Sequence, residues 1–267
     1  MGLDSPYSSS ESSILVERTT ISGNTADGSI GGLDAVSEDG GVTISQSEIS
    51  GNSAGGNAGG GILQGNNSVN VVNSTISRNS AGAEGGGLGI SVGGQLFPDE
   101  SQTRGFISLL RIDFSTIVDN SSGNAAGGLL LKGSGDDAET LINTSAISGN
   151  TAPVNADLGL DEPDVAGESG PTANVTFSLI GVDPSTGTLN KDSLSVSLTG
   201  QNPQLGPLAD NGGPTLTHLP LTGSPLIDQV PEGLGGCSSD AMIGDGSCDK
   251  EFNCEAFGWD GGDCSGP

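Results

Sequence analysis

The side chains able to do chemistry are few and unevenly placed. Cys237, Cys248, Cys254 and Cys264 all fall in the last 31 residues of a 267-residue chain. An even number of thiols in a short Gly/Asp-rich stretch points to a local disulfide staple and an oxidising compartment. Four cysteines allow three pairings. His218 is the only histidine, and no partner constellation accompanies it, so it reads as a packing residue. Glycoside cleavage needs two carboxylates at a set separation. The best place to look for them is Asp113, Asp119, Asp136 and Asp137, near Arg111 and Lys132. The other bases, Arg18, Arg78, Arg104, Lys191 and Lys250, do not recur beside acids at one phase of a repeat. These acids therefore read as turn caps that keep the surface solvated. No Ser-His-Asp, Cys-His or phosphate-loop pattern is present.

Charge narrows the partners. There are 33 acidic and 7 basic residues, a formal net charge of -26. Phosphate binding requires a basic face, so nucleic acid is excluded and anionic membrane surfaces are disfavoured. Divalent cations and water are the natural counterparts. Aromatics make up 3% of the chain while 47 residues are glycine. Such a composition suits either disorder or a solenoid, whose stacked coils bury aliphatic rows and need few aromatics. No apolar run is long enough to span a bilayer. Met1 to Glu11 is polar and leads straight into repeat sequence, so an export signal is expected upstream.

The elements that position these residues follow one repeat. A Ser/Thr pair, Ile, two residues and Asn recur as Thr20-Ile21-Ser22-Gly23-Asn24, Glu48-Ile49-Ser50-Gly51-Asn52 and Thr75-Ile76-Ser77-Arg78-Asn79. Further copies are Thr116-Ile117-Val118-Asp119-Asn120 and Ala146-Ile147-Ser148-Gly149-Asn150. The isoleucines are 28, 27, 41 and 30 residues apart. A weaker copy, Ser178-Leu179-Ile180-Gly181, lacks the Asn. Glycine runs follow each Asn, as in Gly59-Gly60-Gly61-Ile62, and alternating strands such as Val42-Thr43-Ile44-Ser45 lie between. A period of this length with several short strands signals a solenoid, one coil of three strands and three turns per period. Parallel crossovers of this kind are expected to be right-handed. Asn24, Asn52, Asn79, Asn120 and Asn150 are expected to occupy left-handed turn positions and stack as an amide ladder. The glycines are expected to supply positive φ and close backbone approach at the opposite corner. The longest interval holds an insertion, Gly93 to Gly105, a candidate contact loop or tolerated spacer.

The Ile-x-x-Asn and Gly-Gly-Gly-Ile/Leu alternation resembles the pectin-lyase-like parallel β-helices, above all the repeats of bacterial polymorphic outer-membrane and autotransporter-type proteins. The resemblance covers about 170 residues. It implies fold more than function, because such repeats serve adhesins and carbohydrate enzymes alike. Asn202-Pro203-Gln204-Leu205-Gly206-Pro207-Leu208-Ala209-Asp210-Asn211-Gly212-Gly213-Pro214, continuing through Gly223-Ser224-Pro225-Leu226-Ile227-Asp228, is similar to the segment that defines choice-of-anchor Q proteins. That resemblance implies a wrap over the open end of the solenoid, ahead of an interchangeable anchoring element.

The tail carries Gly244-Asp245-Gly246-Ser247-Cys248-Asp249, then Asn253, then Trp259-Asp260-Gly261-Gly262-Asp263-Cys264. It resembles a Lin-12/Notch repeat, a disulfide-stapled Ca²⁺ module. The resemblance implies Asn253, Asp260 and Asp263 as calcium ligands, with Asp249 and Asp245 weaker candidates. Hard oxygens and loop glycines suit that ion. It also implies Cys248–Cys264 pairing, which leaves Cys237 to Cys254. That family usually has six cysteines. Here Phe252 and Phe257 stand where two are expected, and Cys254 is displaced from the nearer position.

The expectation is an all-β protein: a right-handed parallel β-helix over 1–200, a capping segment over 201–232 and a disulfide-rich calcium module over 233–267. The expected role is structural or adhesive at a bacterial cell surface or outside the cell, toward an unidentified surface or polysaccharide partner. Polysaccharide binding or cleavage on the solenoid face is the alternative.

Overall fold

The structure, a computed structural model, describes residues 13–37, 40–65, 68–92, 109–133, 139–161, 171–191 and 197–227. Among these residues there is no helix, and the strands recur in blocks. The first block is Ile14–Glu17 (β1), Thr20–Ser22 (β2), Thr25–Ala26 (β3) and Leu33–Ser37 (β4). The second is Val42–Ser45 (β5), Glu48–Ser50 (β6), Ser53–Ala54 (β7) and Gly61–Gly65 (β8). The third is Ser68–Val72 (β9), Thr75–Ser77 (β10), Ser80–Ala81 (β11) and Leu88–Val92 (β12). Leu109–Asp113 (β13), Thr116–Val118 (β14), Ser121–Ser122 (β15) and Leu129–Gly133 (β16) form the fourth. Glu139–Asn143 (β17), Ala146–Ser148 (β18) and Leu158–Asp161 (β19) form the fifth. Shorter returns follow: Thr172–Thr176 (β20), Leu179–Ile180 (β21), Thr188–Lys191 (β22) and Leu198–Thr199 (β23).

Strands one block apart pair in parallel, giving four sheets. Sheet A runs β1-β5-β9-β13-β17-β20-β22 and sheet B runs β2-β6-β10-β14-β18-β21-β23. Sheet C is β3-β7-β11-β15, and sheet D is β4-β8-β12-β16-β19. This all-β arrangement of long parallel sheets is consistent with a parallel β-helix. The isoleucines of the repeat face one another directly, in the order Ile21, Ile49, Ile76, Ile117, Ile147, Ile180. The 41-residue interval does not disturb this register, because Leu88 still pairs with Leu129 and Ser68 with Leu109. The insertion itself, Gly93 to Gly105, lies outside the described residues.

The core forms where inward residues of sheets A, B and D meet. Val42, Ile44, Val69, Val71, Leu110 and Ile112 come from sheet A, the isoleucine row from sheet B, and Leu63, Leu88, Ile90, Leu129 and Leu131 from sheet D. Each such side chain, fully buried, contributes roughly 1.5–3 kcal/mol of burial free energy. A second small cluster, Ala58, Ile62, Ala126 and Leu130, is also buried. Ile62 and Leu130 stand on sheet D next to inward-facing Leu63 and Leu129, so the alternation of a strand places them on its other face.

Each full repeat has four strands rather than the expected three, because a two-residue strand of sheet C is added to it. Three left-handed residues per coil make the bends. Arg18, Gln46, Asn73, Phe114, Thr144 and Phe177 turn sheet A into sheet B; Gly23, Gly51, Arg78, Asp119 and Gly149 follow sheet B; and Ile30, Ala58, Gly85, Ala126 and Asn155 precede sheet D. The final returns shorten. β20 pairs with β22 only 16 residues on (Thr172 with Thr188), and among the described residues no further strand joins sheet D after β19.

Candidate functional site

The structure brings Asn24, Asn52, Asn79, Asn120 and Asn150 into one row at the bend after sheet B. Asn52 Oδ1 accepts the backbone N–H and the amide of Asn24 at 3.0 and 2.9 Å, and Asn79 Oδ1 accepts the same pair from Asn52 at 3.0 Å each. The pattern repeats from Asn79 to Asn120 and from Asn120 to Asn150. The second amide hydrogen of each inner Asn goes back to an isoleucine carbonyl, as from Asn79 to Ile49 at 2.9 Å. The residues in the left-handed region are those just before the asparagines, not the asparagines themselves. The asparagine amide instead supplies donor and acceptor to both neighbouring coils at once.

The row has a direction, and that explains how it ends. Every amide accepts from the coil before and donates to the coil after, so the last member must accept without needing to donate. Asp157 fills that place. Its Oδ1 accepts the backbone N–H and Nδ2 of Asn150, each at 2.9 Å. Asp157 is 2% exposed, and desolvation raises its pKa; hydrogen bonds from Asn150 and the Val182 backbone act in the opposite direction. Nothing in the local sequence singled this aspartate out.

The glycine runs sit against this amide row. A Cβ on Gly60 would overlap the Gly87 carbonyl oxygen and stand 3.1 Å from Asn79 Nδ2. Close approach, not positive φ, is therefore the demand at the glycine pairs. The left-handed residue comes just before each pair, at Ile30, Ala58, Gly85 and Ala126.

A second row was not assigned from sequence, although the Ser/Thr recurrence ahead of each Ile was its signal. Thr19 N–H donates to Ser47 Oγ, Ser47 to Ser74, Ser74 to Ser115, Ser115 to Ser145, and Ser145 to Ser178, all at 3.0–3.2 Å. Each serine hydroxyl donates to the carbonyl two residues before it, at 2.7–2.8 Å. Polar bends are thus satisfied from coil to coil, as buried groups require.

The choice-of-anchor-like segment does not wrap an open end in the described residues. Leu205–Ala209 (β24) and Thr217–Pro220 (β25) form an antiparallel hairpin. It lies along the outer face of sheet B. Gln201 O accepts Ser148 Oγ–H at 3.4 Å, while at the tip Thr215 donates to Gln46 O at 3.4 Å and Leu216 N–H to Glu48 Oε2 at 3.2 Å. The hairpin therefore runs back over about three coil spacings, ~14 Å. Asp210 caps its loop by accepting the Gly212 N–H at 3.0 Å. The physical reason is coverage, because a parallel sheet is stable with both faces buried. The outward residues of sheet B are small enough to accept a strap: Thr75, Ser77, Val118, Ala146 and Ser148 are all buried. His218 packs within the strap, as expected. Its Nδ1 lies 2.8 Å from Gly206 O and must donate, since a carbonyl only accepts.

The acids and bases considered for catalysis are dispersed. Arg111 pairs with Asp113 at 3.0 Å, and Asn143 donates to the same carboxylate at 2.8 Å. Lys132 pairs with Glu84 at 3.4 Å from sheet D. Asp119 occupies the left-handed bend after sheet B and borders a cavity of about 240 Å³ under the strap, with Ser148, Asn202 and His218. Asp136, Asp137, Arg104 and Lys250 lie outside the described residues. So do Asp245, Asp249, Asn253, Asp260, Asp263 and the four cysteines. No helix among the described residues is long and apolar enough to cross a membrane.

One surface feature was not anticipated. Phe114, at the bend from sheet A to sheet B, is 46% exposed. It borders a depression of about 410 Å³ with Thr43, Asn70 and Val72, and a second of about 310 Å³ with Thr75, Pro214 and Thr215. Gln46 and Asn73 border both.

Compared with protein-family models, with curated proteins and with solved structures, the chain matches none.

Proposed function

We propose that this chain is a non-catalytic, exported scaffold with an adhesive or structural role, built as a closed right-handed parallel β-helix and carrying a calcium-binding C-terminal module. One observation carries the reading. Rows that hold coil to coil repeat one residue type, as in the asparagine and serine rows. Outward rows vary freely: on sheet A one row runs Leu15, Thr43, Asn70, Arg111, Leu141, Asn174. A body that repeats its stacking and varies its surface suits a stiff support for contacts.

In the tail, Asn253, Asp260 and Asp263, aided by Asp249 and Asp245, would supply hard oxygens to Ca²⁺. Cys248–Cys264 and Cys237–Cys254 would staple a segment too small to build its own core. Both suit a location outside the cell or at its surface. The adhesive reading is tested with beads coated in the full chain and passed over cell layers and films of extracellular polymer. Retention above uncoated beads is expected. Release of reducing ends or unsaturated sugars from a polysaccharide panel, without bead retention, would replace the scaffold by an enzyme.

A further inference from the structure

We propose that the outer face of the β24–β25 strap is a docking surface for the C-terminal tail of the same chain, residues 228–267, received through its aromatic side chains. This goes beyond the scaffold reading and does not depend on calcium in the tail. Four of the eight large apolar side chains exposed among the described residues fall within the stretch from Leu216 to Ile227. They are Leu216, Leu219, Leu221 and Ile227, at 38%, 58%, 50% and 43% exposure. Strand alternation turns Leu219 and Leu221 to one side, away from buried His218. The turn behind them folds back, with Ser224 N–H donating to Leu221 O at 2.8 Å and Ile227 N–H to Ser224 O at 3.2 Å. Residues 197–227 hold one acid, Asp210 in the hairpin loop, and no Lys or Arg. On a chain of net charge -26, this apolar face lacks the charges that solvate the rest of the surface.

Three observations choose the occupant. The described residues end at Ile227, which is itself part of the face, so the tail is tethered beside it at an effective concentration of about millimolar order. The tail holds Phe252, Phe257 and Trp259, the only tryptophan. A segment that short cannot build its own core, while each aromatic has roughly 150–250 Å² to bury. The tail also carries nine acids and one lysine, so acidic surfaces elsewhere on the chain repel it and the uncharged strap does not. The reach suffices. At ~3.5 Å per residue, Leu219 lies no more than ~28 Å from Ile227. The 31 residues between Ile227 and Trp259 span about 30 Å even as a flexible coil.

Trp259, being the only tryptophan, reports on the docking directly. The test is its fluorescence in the full chain under non-reducing conditions, with acrylamide as quencher. Blue-shifted emission and weak quenching are expected. Leu219→Asp combined with Leu221→Asp should undo both, because a carboxylate is costly to bury against apolar side chains. The ratio of docked to free tail should fall by roughly tenfold or more, as on losing an interface anchor. Leu15→Asp, at a residue 63% exposed on β1, should change neither reading. Far-UV circular dichroism should be the same in every variant. Emission typical of water-exposed tryptophan in the wild type overturns the proposal. So does shielded emission that the double substitution leaves unchanged, which would put Trp259 in a core of the tail's own. Shielding that is lost on dilution, with a matching dimer in analytical ultracentrifugation, would give the face to a second copy and overturn the tail as its occupant.

Discussion

Replacing Asn79 by Ala tests whether the amide row holds the coils together. Asn79 is 1% exposed and makes four side-chain hydrogen bonds. Two partners keep another bond after truncation: Asn120 Oδ1 retains the Asn79 backbone N–H at 3.0 Å, and Asn52 Nδ2 retains Ile21 O at 2.9 Å. The Asn52 backbone N–H and one Asn52 amide hydrogen lose their acceptor, the Asn79 Oδ1 that holds both at 3.0 Å. At about 1–3 kcal/mol for each buried unpaired donor, the expected cost is about 2–6 kcal/mol. Asn24→Ala is the control. That residue is exposed at the start of the row, and its side chain donates once, to Asn52. Its loss leaves no donor unpaired and should cost under about 1 kcal/mol. Urea unfolding followed by far-UV circular dichroism measures both. Hydrogen exchange adds a local readout, because the Asn52 amide should lose protection in Asn79→Ala and keep it in Asn24→Ala. Equal costs for the two variants, with the Asn52 amide still protected, would refute the reasoning.

Asn79→Asp should be more harmful as pH rises, because its second oxygen would face Ile49 O and Asn120 Oδ1 with no proton to share. Its folded pKa would be raised, so the penalty is absent below the unfolded carboxylate value of about 3.9 and grows as pH climbs above it. Asp157 has the same sign for a different reason: burial raises its pKa. The wild type should therefore gain stability relative to Asp157→Asn as pH falls through the acid range, and a pH-independent difference in urea midpoints would contradict this. Gly60→Ala should cost over about 3 kcal/mol, because its Cβ has no room beneath the Gly87 carbonyl, while Gly28→Ala meets open space and should be nearly neutral. Thermal melts distinguish the two. Thr144→Asn should stabilise by roughly 0.5–1 kcal/mol, since a β-branched residue sits at φ 47° there. Calorimetric titration of the disulfide-intact full chain should show micromolar-to-millimolar calcium binding that Asp260→Ala and Asp263→Ala remove.

The repeat was legible in the chain because each inward row needs one side-chain type at one spacing. Ile21, Ile49, Ile76, Ile117 and Ile147 marked the register even across a 41-residue interval. The asparagine row was legible for the same reason, since an amide that must match its neighbours cannot vary. The left-handed residue after sheet B was misplaced by one position, because Arg78 and Asp119 carry no signature of the conformation they adopt. Tertiary structure alone decided three things. It brought Asp157, seven residues after Asn150 in the same repeat and level with Gly128, to end the amide row. It laid the Pro/Gly-rich segment along sheet B, where contacts between residues 168 and 169 positions apart leave no local trace. And it set Phe114 beside Asn70 and Thr43, residues of three different repeats, because parallel pairing of successive repeats converts distance along the chain into adjacency at one strand spacing per repeat.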